Sequence, residues 1–190
     1  MQNLLIICSL SLLLACTPSK KNGHDHEAHS TPEATDSGNK PLSPRTTAMA
    51  NVGENHIHID YGSPSKRGRM IFGGLVGFDQ VWATGAHKAT FINFGKDVIV
   101  NGEPIEAGKY GLFTIPGEKE WTIIISRDWD MHLADDYDQA NDIVRIIVPV
   151  QKMDETVESL TFEITETDPS QGVITLSWDQ TRVSFTVRNK

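Results

Sequence analysis

Polar and apolar residues alternate along most of the chain beyond residue 55, the two-residue period of strands that bury one face. His56-Ile57-His58-Ile59-Asp60-Tyr61 shows it most plainly, and Thr90, Ile92 and Phe94 repeat the spacing. Val98-Ile99-Val100 runs into Asn101-Gly102, the strongest short signal for a two-residue hairpin loop, since both central residues must take positive φ. A turn at Ala107-Gly108 leads into Tyr110 to Ile115, and Pro116-Gly117 stops that run. Trp121 to Ser126, Ile143 to Val150, Ser159 to Thr165, Val173 to Trp178 and Val183 to Val187 complete the pattern, while Leu133 to Asn141 is the one stretch with helical character. About nine or ten short antiparallel strands with regular turn signals predict an all-β fold, a single β-sandwich of jelly-roll or immunoglobulin-like type, over residues 51–190.

The N-terminal pattern is different. Leu4 to Leu14 is an uncharged, mostly apolar run, too short for a bilayer span of about 20 residues and the size of a signal-peptide core. It closes on Leu13-Leu14-Ala15-Cys16, which resembles the lipobox of bacterial lipoproteins, although no Lys or Arg precedes the core and Leu14 is bulkier than usual there. Residues 1–15 are therefore expected to be a lipoprotein signal, with Cys16 as the lipidation site and the membrane as a partner through that anchor. Durable attachment takes more than one acyl chain, which the resemblance supplies. Residues 16–50 hold no aromatic residue and are rich in Ser, Thr, Pro, His and charge, the composition of a disordered tether. A flexible chain of that length would reach on the order of 30 Å from its anchor. The expected location is the cell envelope, at the outer membrane or facing the periplasm.

Cysteine and charge narrow the classes further. Cys8 and Cys16 are the two cysteines, so the domain is expected to hold no disulfide and to depend on apolar burial. A formal net charge of −8 disfavours nucleic acid as a partner. No nucleophile-elbow serine, zinc-binding His-Glu-x-x-His helix or phosphate-cradling loop is present, and no motif calls for a cofactor.

The stretch from Tyr61 to about Trp178 resembles a family of bacterial exported proteins, the domain of unknown function twenty-nine eleven. The resemblance is carried by Ser63 to Arg69, Ile71-Phe72-Gly73-Gly74-Leu75-Val76, Val81-Trp82-Ala83-Thr84-Gly85-Ala86-His87-Lys88-Ala89-Thr90, Asn101-Gly102, Ala107 to Tyr110, Leu112 to Pro116 and Trp121 to Ile124. It implies an exported domain and no established activity. Ala83 and His87 depart from the resemblance, standing where Arg and Asn are common; if those side chains form a site, this chain has altered part of it.

Two segments carry candidate binding chemistry. Lys66, Arg67 and Arg69 set three cations close together in an acidic chain. If extended, Arg67 and Arg69 share a strand face and could grip a carboxylate or phosphate in a forked geometry; the bland alternative is a solvated edge strand. Trp82, Thr84, His87 and Lys88 belong to a polar, glycine-bearing stretch in which Trp82 could stack on a sugar or planar group while Thr84 and His87 supply hydrogen bonds. The alternative is a core tryptophan and an exposed histidine.

Metal sites are weaker candidates. His24, Asp25, His26, Glu27 and His29 crowd the tether, and His56 and His58 share one face about 7 Å apart with no third ligand in view. The Asp-rich run from Asp128 to Asp142 fails as a calcium loop, since Leu133 and Gln139 occupy the positions that need glycine and glutamate; it reads as an acidic lid. No metal site is assigned. The expectation is a non-catalytic, lipid-anchored module binding an anionic small molecule, glycan or envelope protein. The alternatives are an enzyme using His87 with Asp128 or a nearby carboxylate, and a structural envelope component.

Overall fold

The computed structural model describes residues 41–190, within a compact unit of Asn39–Lys190. Cys16, the segment preceding it, the His24 to His29 tract and most of the expected tether lie outside the described residues. Ten strands form two sheets: β1 (Arg45–Val52), β2 (Asn55–Gly62), β3 (Phe91–Phe94), β4 (Val98–Val100), β5 (Glu103–Ile105), β6 (Gly108–Ile115), β7 (Glu120–Ser126), β8 (Asp142–Pro149), β9 (Gln151–Asp168) and β10 (Gln171–Asn189). The larger sheet has the order β1-β2-β3-β6-β7-β8 and the smaller the order β5-β4-β10-β9. All pairings are antiparallel, and the architecture is the β-sandwich that the alternation predicts.

The period of two decides what is buried. On β2, Ile57 and Ile59 point inward while His56 and Asp60 do not, and β3 contributes Ile92 and Phe94 in the same phase. They meet Leu160, Phe162, Leu176, Val183 and Phe185 of the smaller sheet in one continuous core. Each such side chain contributes roughly 1.5 to 3 kcal/mol on full burial, which is how a domain without disulfides holds together. The Asn101-Gly102 hairpin forms as expected, with φ of 52° and 87° joining β4 to β5.

Several boundaries differ from the sequence reading. Residues 45–50, assigned to the tether, belong to β1; Thr46, Ala48 and Ala50 face inward but are too small to give a hydrophobic signal. Val173 to Trp178 and Val183 to Val187 are one strand, β10, bent where Asp179 takes φ 54° and the register against β9 shifts. A bulge bends a strand without ending it. The β9 strand starts well before Ser159 because its first part is a polar edge with no buried residue. The helix expected at Leu133 to Asn141 shrinks to one 3-10 turn at Gln139–Asn141, capped by the Asp138 side chain.

One feature of the larger sheet positions the site. Leu112, Ile123 and Ile125 face the main core, whereas Phe113 and Ile124 face the other way and are also fully buried. Two long excursions cover that outer face: residues 63–90, between β2 and β3, and residues 127–141, between β7 and β8. They supply Ala83, Ala89, Met131, Ala134 and Tyr137 to a second, smaller core around Phe113 and Ile124.

Candidate functional site

The first excursion is hydrogen-bonded to the sheet at several points. Trp82 exchanges backbone hydrogen bonds with Thr114 at 2.8 and 3.0 Å, and the Leu112 N–H donates to the Thr90 carbonyl at 2.9 Å, so residues 82–90 extend the sheet beside β6 where β3 stops. The return to β3 is fixed by Arg45, whose guanidinium pairs with Asp60 and donates to the carbonyls of Lys88 and Ala89 at 3.0 and 3.2 Å. Gly62 and Gly85 make the close approach possible. A Cβ on Gly62 would run into the Ala86 carbonyl, and one on Gly85 would lie 2.9 Å from Thr90 Oγ1 and 3.0 Å from the Gly62 carbonyl.

Lys66 to Arg69 is a turn rather than an extended strand. The Arg69 N–H donates to the Lys66 carbonyl at 3.1 Å, and Arg67 and Gly68 take φ of 49° and 69°, the signature of a turn with both central residues left-handed. The two arginines thus do not share a strand face, yet both reach the same cavity, of about 340 Å³. Trp82 and His87 line it too, along with Leu75, Val76, Leu133 and Trp178. Four of the seven ligand-binding candidates are therefore brought together.

The other three have structural placements. Lys66 donates to Asp179 Oδ1 at 2.7 Å, holding the turn to the bend in β10. Thr84 is fully buried, with its hydroxyl 3.1 Å from Thr114 Oγ1 and its carbonyl accepting from Thr90 Oγ1 at 2.9 Å. Lys88 is exposed and does not line the cavity; its carbonyl is the acceptor for Arg45.

Within the cavity the polar groups are unequally committed. Arg69 donates to the carbonyls of Ser65 and Lys66 at 2.6 and 3.0 Å, so its guanidinium braces the turn. Arg67 has its backbone fixed, its N–H donating to Glu158 Oε1 at 2.8 Å, but among the described residues its guanidinium makes no hydrogen bond or ion pair. Trp82 Nε1 donates to the Gly85 carbonyl at 3.1 Å. The Trp82 and Trp178 rings stack with centroids 5.9 Å apart, and Trp178 Nε1 donates to the Glu158 carbonyl at 3.2 Å. The indole donors are thus occupied; Trp178 is fully buried, and the half-buried Trp82 is the indole accessible from the cavity.

Backbone strain concentrates here. Arg67, His87 and Leu133 line the cavity and have φ of 49°, 66° and 50°, a region that non-glycine residues enter rarely and at a cost of about 1 to 3 kcal/mol each. Leu133 is held from the first excursion, its N–H donating to the His87 carbonyl at 2.7 Å. Sequence reasoning missed Leu133, Leu75, Trp178 and Ser43 as lining residues; an exposed leucine in an acidic loop and a serine in an apparent tether carry no signal of their own.

A larger neighbouring cavity, of about 490 Å³, is lined by Phe72, Phe78, Trp121, Glu118, Lys152 and Asp179 among others. Phe72 contacts Trp82, Trp121 and Trp178 edge to face, so the two cavities share an aromatic partition. The larger one has charges of both signs, and its Asp179 is spent on Lys66.

The acidic excursion is built differently. Asp128 accepts from Asn141 at 2.7 Å, Asp135 pairs with His132 at 3.0 Å, Asp138 accepts from the Ala140 N–H at 2.9 Å, and Asp142 accepts from Tyr137 and Arg145 at 2.6 and 2.7 Å. Burial, followed by the hydrogen bond to Asp142, pushes the Tyr137 hydroxyl up to about 12. Asp128 lies on a separate cavity from His87, so the acid–base pair that an enzyme would need from these two is not formed. Among the described residues no three His, Cys, Asp or Glu side chains converge on a metal position. His56 bonds to Asn51 at 3.0 Å, while His58 is half-buried, packed edge to face on Phe91 with its Nε2 unpartnered among the described residues.

A family described as a protein of unknown function, DUF2911, matches residues 43–187. The match begins before β1 and ends within β10, so it takes in both sheets and both excursions. No curated protein matches the chain, and no solved structure does.

Proposed function

We propose that this chain, which belongs to the DUF2911 family, is a lipid-anchored envelope module that binds a small molecule in the cavity between Arg67, His87 and Leu133. The observation that carries the reading is the convergence there of three residues held at positive φ around two stacked tryptophans. Loops that keep such strain without relieving it are characteristic of ligand sites, and a volume of about 340 Å³ suits a small organic ligand. The anchor is supported by the run ending at Leu13-Leu14-Ala15-Cys16, and its role is to keep the module at a membrane surface.

Thermal unfolding of the purified full chain against metals, phosphates, carboxylates and short envelope glycans tests the cavity. A compound that raises the midpoint of the parent and raises that of Leu133→Gln less is the expected result. A panel that leaves the parent unmoved, or moves both proteins equally, overturns the reading. Membrane fractionation of Cys16→Ser tests the anchor: the variant is expected in the soluble fraction, and retention on the membrane would refute it.

A further inference from the structure

If the cavity is the small-molecule site proposed above, its lining also fixes the charge of what enters. The lining holds Arg67 and Arg69 but no Asp or Glu, in a chain whose formal net charge is −8. This is a local reversal of sign. Arg69 keeps its charge, but its Nε and Nη2 donors are held by the Lys66 and Ser65 carbonyls, so the guanidinium free to turn onto a ligand is that of Arg67. Its backbone is tied down by Glu158 while its guanidinium is left unpaired among the described residues. A guanidinium presents parallel N–H donors that match a carboxylate or phosphate, and it cannot lose its proton.

The rest of the wall is apolar. Leu75 and Leu133 stand at the rim, 49% and 37% exposed, and Val76 and the half-buried Trp82 lie further in, with the fully buried Trp178 behind them. A bare inorganic anion would leave this surface wet. A neutral ligand would leave the guanidinium unused, and a cation would be repelled by it. We infer that the cavity takes a small organic acid, with a carboxylate or phosphate monoester at Arg67 and an apolar, planar or chain-like body lodged between Leu75, Leu133 and the half-buried Trp82 indole. The Trp82 indole donor being occupied, the body is recognised by shape and apolar contact rather than by hydrogen bonds.

The test is isothermal titration of the full chain, with thermal unfolding in parallel. The probes are 3-phenylpropionate, hexanoate and phenyl phosphate, set against 3-phenylpropanol, hexanol and 3-phenylpropylamine, with acetate and inorganic phosphate as bare anions. The acids are expected to bind about tenfold or more tighter than the alcohols, the amine and the bare anions. Arg67→Gln is expected to erase that preference while retaining residual binding of the alcohols. Equal binding of acids and alcohols, or acid binding that Arg67→Gln does not change, would overturn the assignment of charge and leave the cavity as a site. A neutral or cationic ligand found at the cavity in the broader panel would do the same. If no compound of either panel binds, the cavity reading falls as well.

Discussion

The two excursions over the outer face of the larger sheet make an instructive pair. Both cover Phe113 and Ile124, and both pass a glycine of the sheet at close quarters. Gly62 admits Ala86 of the first, and Gly111 admits the Asp128 carbonyl of the second. Their charges differ in sign and in use. The acidic excursion commits Asp128, Asp135 and Asp138 to its own turns, while Asp142 at the start of β8 accepts from Tyr137 and Arg145; Asp130 and Asp136 have no partner among the described residues and line a shallow cavity of their own. The basic one commits Lys66 and Arg69 in the same way but leaves Arg67 open over an apolar cavity. A charge cluster in a sequence thus says little until partners and surroundings are both counted; Arg67 stands out because it is left over beside Leu75, Val76, Trp82 and Leu133.

Five substitutions break or sharpen this comparison. The largest effect is expected from Phe113→Ala, which removes the floor common to both excursions and should cost about 3 to 5 kcal/mol in chemical denaturation; a loss under about 1 kcal/mol would mean that the outer face is not a true core. Gly62→Ala and Gly111→Ala come next, each costing about 1 to 3 kcal/mol by overpacking. They should part in function: the Gly62 variant displaces the 85–87 segment and loses ligand response, while the Gly111 variant keeps it. Equal loss in both would erase the distinction between the excursions.

Tyr137→Phe should cost about 0.5 to 1.5 kcal/mol and also change the alkaline limb of stability. With the phenol pushed from 10.0 to about 12 by burial, the unfolded chain gives up this proton first. Stability contributed by the neutral phenol is therefore complete below pH 10 and lost between pH 10 and about 12. Stability measured across that interval should fall less steeply in the phenylalanine variant, and identical slopes would refute the assignment. The smallest effect on folding belongs to Arg67→Gln, within about 0.5 kcal/mol, since its guanidinium supports nothing else among the described residues.

The regular part of this architecture was legible in the sequence. Alternation placed β2, β3, β6, β7 and β8, and Asn101-Gly102 placed the hairpin between β4 and β5, because those signals are local. What escaped depended on distant partners. The β1 strand is read as tether because Thr46, Ala48 and Ala50 bury little, and it holds by pairing with β2. Val173 to Trp178 and Val183 to Val187 read as two strands, yet pairing with β9 carries β10 on through the bend at Asp179. At the site, residue types pointed to Arg67, Trp82 and His87, but nothing local reveals that Arg69 is spent while Arg67 is not. Leu133 was invisible for the same reason, since its place beside His87 is set by a backbone hydrogen bond across 46 positions of chain.

The central claim is that ligand chemistry resides on the basic excursion and its cavity. The most direct measurement is a backbone and indole amide NMR titration of the full chain with 3-phenylpropionate. Shifts concentrated at Arg67, Gly85 to His87, Leu133 and the Trp82 and Trp178 indoles are the predicted result. Shifts confined to Asp128 to Asp136, to the cavity around Phe78 and Lys152, or to no residue at all would contradict it.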